Sequence, residues 1–169
     1  MDLVSIITPC YNSADFIAET IESILAQTYT NWELLITDDC SKDNTIEIIQ
    51  SYADKDARIK VFRLEKNSGG GVARNNSIKQ AQGRYIAFCD SDDRWYPNKL
   101  EKQIAFMKQN DCALTCTSYM TCDEAGNIKG ILIAPNNITF KSNLRDCKIG
   151  CLSAIYDTDK VGKVYLPLI

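Results

Sequence analysis

Ile86-Ala87-Phe88-Cys89-Asp90-Ser91-Asp92-Asp93 is a short apolar run that ends in three carboxylates within four residues. The run reads as a strand, and the acids fall where that strand stops. Carboxylates this close repel one another, so folding gains nothing by grouping them. A divalent cation among them removes the penalty. Mg2+ and Mn2+ prefer carboxylate oxygens, and Mg2+ is commonly held by one or two carboxylates together with substrate phosphates. A solvated acidic turn is the other reading of these eight residues, and the flanking segments decide between the two.

Strand-like and helix-like segments alternate from the N-terminus. Leu3 to Thr8 is a β-branched apolar run ended by Pro9 and the turn residues Asn12 and Ser13. Ser13 is suited to cap a helix that runs through Gln27, because Phe16, Ile17, Ile21, Ile24 and Leu25 recur at helical spacing. Trp32 to Thr37 reads as a second strand, Asp38 to Asn44 as a loop, and Thr45 to Ala53 as a helix. Ile59 to Leu64 is a third strand. A loop with Gly69, Gly70 and Gly71 leads into a helix over Val72 to Ala81, which Gly83 stops before a fourth strand, Arg84 to Cys89. Pro97 suits the first turn of a helix whose buried side carries Leu100, Ile104 and Met107.

This order predicts a mostly parallel, Rossmann-like central sheet with helices on both faces. In such sheets the ligand crevice lies beyond the carboxyl ends of the strands. Pro9 to Asn12, Asp38 to Asp43 and Asp90 to Asp93 all fall at those ends, which favours a nucleotide-and-metal site over a bare acidic turn. After Asn110 the pattern loosens. Cys112 to Ser118 reads as a strand, and the turn signal Asp123-Glu124-Ala125-Gly126-Asn127 joins Tyr119-Met120-Thr121 to Ile128 through Ala134 as a hairpin. Cys151 to Tyr156 and Val161 to Tyr165 are the remaining strand candidates.

Composition sets the outer bounds. The 169 residues are enough for one domain with a full core, and 45% hydrophobic with 24% charged residues is ordinary for a globular chain. A net charge of −3 without a dense basic run argues against a nucleic-acid binder. No apolar stretch approaches a membrane span, and the N-terminus lacks a signal pattern, which argues against export. Eight cysteines then point to reduced thiols rather than a disulfide framework. Structural zinc through Cys112, Cys116, Cys122, Cys147 and Cys151 is weighed against buried cysteines acting as small apolar residues. The absence of any C-x-x-C pair favours the latter. The chain has no histidine, so Ser-His-Asp and Cys-His catalysis are excluded.

Taken together, the segments resemble the family 2 glycosyltransferases, inverting enzymes of the GT-A nucleotide-diphospho-sugar transferase fold. The matching pieces are Val4 through Asn12, Ser23 through Thr28, Asp38 through Thr45, Ala73-Arg74-Asn75, Gly83 through Ile86, and Asp90 through Asp93, closed by Trp95, Pro97 and Leu100. One D-x-D is weak evidence, whereas several motifs in order over residues 3 to 107 are specific. The resemblance implies a single GT-A domain over residues 1–169. Residues 1–110 form its nucleotide-sugar and metal-binding half, and 111–169 begin the acceptor half. It also implies a UDP-sugar donor, a saccharide or lipid-linked acceptor in cell-surface polysaccharide synthesis, and work at the cytoplasmic face of the membrane with peripheral association. No nucleic-acid partner is implied, and the oligomeric state is left open.

Each motif then acquires a task. Thr8, Pro9 and Tyr11 would wall the base pocket, with the Tyr11 ring as a stacking face. Asp39 would accept a hydrogen bond from the uracil N–H, while Asp38 braces the loop. A turn residue capping the next helix is the bland role for Asp39. The Gly69 to Gly71 loop allows unusual backbone angles near a ligand, but no Gly-Lys-Ser/Thr follows, so it is not a P-loop. Arg74 would pair with a diphosphate oxygen or with one of the acids. Asp90 and Ser91 would contact the donor, Asp90 through the ribose or a metal-bound water, and Asp92 would ligate Mg2+ or Mn2+ directly. Asp93 would orient the loop.

Two departures from the family pattern stand out. Cys40 replaces the glycine usual after the paired aspartates, which ordinary backbone angles would tolerate. The acid that serves as general base is expected beyond Ile169, and neither Asp157 nor Asp159 is assigned to that role. The catalytic residue is therefore unknown, and the chain reads as C-terminally truncated. A non-catalytic nucleotide-sugar-binding module remains an alternative. So does a nucleotidyltransferase of related fold, although that class carries a glycine-rich, basic loop after its first strand where this chain has Pro9 through Asp15. A receiver-type phosphoacceptor module ranks last, since it has no use for the Asp90-Ser91-Asp92 cluster.

Overall fold

Every residue of β1 (Val4–Cys10) and β2 (Trp32–Asp38) is buried, which is the signature of central strands in a parallel sheet covered on both faces. The computed structural model describes residues 1–123, 126–135 and 149–167. In order after these two strands come β3 (Ile59–Arg63), β4 (Tyr85–Phe88) and the two-residue β5 (Leu114–Thr115), then the hairpin β6 (Tyr119–Cys122) and β7 (Ile128–Leu132), and last β8 (Ile155–Asp157). The main sheet has the order β3-β2-β1-β4-β8-β5, and β6 and β7 form a separate two-stranded sheet. Strands β3, β2, β1 and β4 are parallel, and β8 runs antiparallel to both β4 and β5.

Alternate residues of each strand feed two cores. Val4, Ile6, Leu34 and Ile36 pack with Ile17, Ile21 and Ile24 of α1 (Ile17–Leu25), Ile49 of α2 (Thr45–Ala53), and Leu100, Ile104 and Met107 of α4 (Lys99–Gln109). Ile7, Leu35, Ile86 and Phe88 form the other core with Ile78 of α3 (Gly70–Gln80). The mostly parallel sheet with helices on both faces is therefore present, as the α/β alternation predicts.

Several boundaries differ from the sequence reading for local reasons. Ser13 does not cap α1 with its side chain: the helix begins at Ile17 with Phe16 at the N-cap, and the Ser13 hydroxyl bonds elsewhere. Pro97 precedes the N-cap of α4, Asn98, and its carbonyl accepts from the Thr28 N–H. Gly83 does not terminate α3, which ends at Gln80. It is required because a Cβ there would lie 2.6 Å from the Ser5 nitrogen and 2.7 Å from the Leu3 carbonyl oxygen. Cys112 to Ser118 contributes only Leu114–Thr115 to the sheet, and Cys151 to Tyr156 divides into a 3-10 turn, Cys151–Ser153, followed by β8. Val161 to Tyr165 is not a strand. A four-residue helix, Thr158–Val161, gives way to Gly162 at φ 70°, and the Leu166 backbone is held by the Asn75 amide in two hydrogen bonds of 2.8 and 2.9 Å. The β6–β7 hairpin forms where the turn signal places it, although Glu124, Ala125 and also Cys147 lie outside the described residues.

A buried polar network ties the near end of the sheet together. Glu33 on β2 accepts from Ser5 Oγ at 2.6 Å, from the Gln82 N–H at 2.7 Å and from Lys60 Nζ at 2.7 Å, while Ser5 Oγ accepts from the Gly83 N–H at 2.8 Å. Burial pushes the Glu33 carboxyl up, but Lys60, Ser5 and Gln82 outweigh it and hold the pKa below its ordinary 4.5. A lowered folded-state pKa means stability that is fully present above pH 4.5 and is lost as pH falls through the lowered value. Glu33→Gln is therefore expected to cost about 2 kcal/mol at neutral pH, in the range of hydrogen bonds to a buried charge. It should also flatten the acid limb of stability below pH 4.5. Urea denaturation of both forms across pH 3 to 7, as a choice of about five points, checks both effects.

Candidate functional site

The parallel register puts three strand ends side by side. Cys10 lies opposite Asp38 and Ile7 opposite Phe88, so the segments after β1, β2 and β4 emerge on one edge. Hydrogen bonds between distant residues hold these loops to one another. Asn12 accepts from the Lys42 N–H with its Oδ1 and donates its own N–H to Ser41 Oγ, both at 2.9 Å. Ser13 N–H donates to Thr45 Oγ1 at 2.7 Å, and the Ser13 and Ser91 hydroxyls bond at 2.8 Å. Thr20 Oγ1 donates to the Ser91 carbonyl at 3.0 Å, which fastens the acidic turn to α1.

The paired aspartates divide their work. Asp38 is fully buried and braces its own loop, accepting from the Ser41 N–H at 3.1 Å, from the Ser41 hydroxyl, and from Arg63 Nε at 3.3 Å. Asp39 reaches across to the glycine loop: Oδ1 accepts from the Ser68 N–H at 2.7 Å and Oδ2 from the Gly69 N–H at 2.8 Å. It does not cap α2. Asn44 is the N-cap, and Asp43 before it uses its carboxylate to accept from the Thr45 N–H and hydroxyl and from the Ala14 N–H. Burial raises the Asp43 pKa, but these bonds from Thr45 and Ala14 prevail and lower it. Gly69 takes φ 91° as the N-cap of α3, so the loop turns where only glycine is comfortable.

Pro9, Cys10 and Tyr11 of the first loop, Asp39 of the second, Gly70, Ala73 and Arg74 of α3, and Asp90 and Ser91 line a cavity of about 170 Å3. The Tyr11 ring is exposed at its mouth. Thr8 is not in the wall. It is fully buried in β1, and its Oγ1 has no hydrogen-bond partner among the described residues. Arg74 takes the acidic of its two expected partners, with Nη2 at 2.6 Å from both Asp90 oxygens. Burial works against the Arg74 charge, but the pairing with Asp90 outweighs it and raises its pKa. Cys151, far along the chain from both, also borders this pair.

Asp92 is exposed and makes no hydrogen bond or ion pair among the described residues. Burial first, then the charges of Asp90 and Asp92, pushes Asp93 up to about 6. A cation at the turn would relieve the part of this shift that comes from Asp90 and Asp92. Among the described residues no three acids, cysteines or histidines could enclose a metal by themselves. The donor set instead suits a cation held by the free Asp92 carboxylate and completed by phosphate oxygens, with Asp90 already compensated by Arg74. The seven described cysteines are free thiols, and Cys10 and Cys89 are buried as small apolar residues, their thiol pKa values driven up by burial. Asp157 sits opposite Tyr85 at the other end of the sheet, where Arg84 Nη2 binds it at 2.8 Å, and Asp159 also pairs with Arg84. Neither reaches the acidic turn. No helix among the described residues is long and apolar enough to cross a membrane.

Cys40 corrects one expectation. Its backbone is not ordinary: φ is 64°, the left-handed region that glycine occupies without strain. Cys40→Gly is expected to stabilise the fold by about 0.5–1 kcal/mol, strain relief offset by the freer unfolded chain. Cys40→Val, β-branched at positive φ, should lower stability by about 1–2 kcal/mol. Opposite shifts of the urea midpoint check this, and equal shifts would refute the strain.

Comparison with known proteins agrees with this geometry. The model of glycosyl transferase family 2 matches residues 5–156. A Bacillus subtilis glycosyltransferase assigned to teichuronic acid biosynthesis, TuaG, is 45% identical over 166 residues, 98% of this chain and 66% of its own length. An Escherichia coli enzyme, the UDP-Glc:α-D-GlcNAc-diphosphoundecaprenol β-1,3-glucosyltransferase WfgD, is 42% identical over 99% of this chain and 65% of its own. This chain thus spans about two thirds of the length of these relatives. Among solved structures, S. aureus TarS 1–349 in complex with UDP-GlcNAc superposes with a TM-score of 0.78 at 29% identity, covering 99% of this chain and 49% of that one.

Proposed function

Because this chain belongs to glycosyl transferase family 2, we propose that its small cavity binds a UDP-sugar and that the protein transfers the sugar, with inversion, to a saccharide or lipid-linked acceptor. The observation that carries the reading is the convergence of Tyr11, Asp39, Arg74 and Asp90 on one cavity from three strand ends and a glycine-bounded helix. Tyr11 offers its exposed ring to the base. Asp39 uses one lone pair of each oxygen on the Ser68 and Gly69 N–H groups, which leaves the others to accept from uracil N–H. That double use also makes the glycine loop and the base pocket one unit.

Arg74 is set to follow the diphosphate, exchanging or sharing Asp90 with a phosphate oxygen. Asp92, with Asp90, would hold Mg2+ or Mn2+ against the diphosphate, and the ion would neutralise the charge that grows on the departing UDP. Ser91 is fastened by Ser13 and Thr20, so the acids on either side keep their spacing. Transfer with inversion also needs a base for the acceptor hydroxyl, and no residue of this chain is assigned to it. The relative WfgD acts on a diphosphoundecaprenol-linked sugar, and we extend that acceptor class to this protein, with action at the cytoplasmic membrane face. Residues 1–110 form the donor half of this scheme, and the segment from 111 onward begins the acceptor half.

Calorimetry with UDP tests the donor site directly. UDP should bind in the presence of Mn2+, and Asp92→Asn should weaken that binding at least about tenfold, or about 1.4 kcal/mol. Asp39→Ala should weaken it with or without metal. UDP affinity that is indifferent to Mn2+ and to Asp92 would remove the metal from the reading, and no binding at all would remove the donor site.

A further inference from the structure

The acidic turn has a second cavity on its other side. Asp90 and Ser91 border the small cavity, whereas Asp92 and Asp93 border a groove of about 840 Å3 between α4 and the β6–β7 hairpin. Trp95 and Leu152 lie in the floor, joined by a hydrogen bond from Trp95 Nε1 to the Leu152 carbonyl at 3.2 Å. Phe106 from α4 and Met120, Ile128 and Ile131 from the hairpin form apolar walls. These wall residues are strongly exposed, Phe106 at 53%, Ile128 at 63% and Ile131 at 64%. A two-stranded hairpin outside the main sheet gains little from its own pairing, so apolar side chains on both of its strands call for a partner.

Charge says what kind of partner. Lys99 and Lys102 line the same groove, and neither has a carboxylate partner among the described residues. The Lys99 ammonium lies 4.1 Å from the Trp95 ring centre and among the described residues bonds only Gln103 Oε1, at 3.0 Å, and burial lowers its pKa to about 7. An enclosed ammonium without a counter-ion is costly, and an anion in the groove would relieve that cost. Two lysines without a direct carboxylate partner among the described residues, beside an apolar channel that has Asp92 and Asp93 on its border, fit an amphiphile with a diphosphate head.

We propose that the groove between α4 and the β6–β7 hairpin seats the isoprenoid-diphosphate end of a lipid-linked acceptor, its diphosphate on Lys99 and Lys102 and its chain along Phe106, Ile128 and Ile131. This rests on the transferase reading above. It accounts for the placement of the two cavities on either side of one turn: an acceptor sugar extending from the groove meets the donor sugar across Asp92.

Farnesyl diphosphate titrated by calorimetry in millimolar Mg2+, with UDP at saturation to fill the donor cavity, tests this. It should bind, with inorganic diphosphate and farnesol each at least about tenfold weaker. Lys102→Glu and Ile131→Asp, both at exposed positions, should each weaken it about tenfold while leaving UDP affinity unchanged. Equal binding of inorganic diphosphate would make the groove a plain anion site, and equal binding of farnesol a plain apolar patch. Either result overturns the proposal, as does native affinity in both variants. Sedimentation showing a dimer that Ile131→Asp dissociates would assign the face to a second copy instead. A chain that binds UDP but not farnesyl diphosphate refutes the groove and leaves the donor reading intact. The reverse result upholds the groove as an isoprenoid-diphosphate site and refutes the donor reading.

Discussion

The hydrogen-bond ladders that flank β1 are the constraint on which the remaining structure depends. Their register is parallel and aligned, so β1, β2 and β4 end on one edge and release their loops within reach of one another. A slip of one residue would exchange the two faces of a strand, sending Ile6 to the α3 side and Ile7 to the α1 side, into cores shaped for the other set. Burial on both faces therefore enforces the register, and the register enforces the site. Gly83 is part of the same constraint, because β4 reaches its place only if no side chain stands between it and β1.

Within that frame the carboxylates are sorted by what compensates them. Asp38 and Asp43 are satisfied inside their own loop and its neighbour. Asp39 is satisfied by the glycine loop, and Asp90 by Arg74. Asp92 alone of these remains exposed and unpaired among the described residues, while burial and then the charges of Asp90 and Asp92 raise the pKa of Asp93. Folding thus neutralises every acid around the cavity that has a structural task. It leaves negative charge at the exposed end of the acidic turn.

The hairpin side follows a different logic. Among the described residues its strands join no other sheet, its apolar residues face an open groove, and Lys99 and Lys102 of α4 line that groove without a direct carboxylate partner, with Asp92 and Asp93 also on its border. The loops around the small cavity are bonded to one another, whereas the groove side carries exposed apolar groups and lysines without a direct carboxylate partner among the described residues.

The amino-acid sequence by itself determined the alternation of strands and helices, the two-faced sheet and the loops that carry the site, because these follow from local periodicity and from motifs read within a few residues. It located α2 to the residue and placed Asp39, Arg74 and Asp90 in candidate roles. It missed what depends on distance through space. The Ser13–Ser91 bond spans 78 residues, Arg74 chose Asp90 over Asp92, and Cys151 came to the Arg74 pair from the far end of the chain. The strand expected at Val161 to Tyr165 is replaced by the end of a short helix and a turn at Gly162, and Asn75 on α3 binds the Leu166 backbone that follows. The left-handed backbone at Cys40 and the groove beside Lys99 were likewise decided only in three dimensions. Local patterns encode which hydrogen bonds a segment can make with itself. Which distant group satisfies a loop, and which charge is left without a partner, is settled only when all the packed elements compete for the same few donors and acceptors.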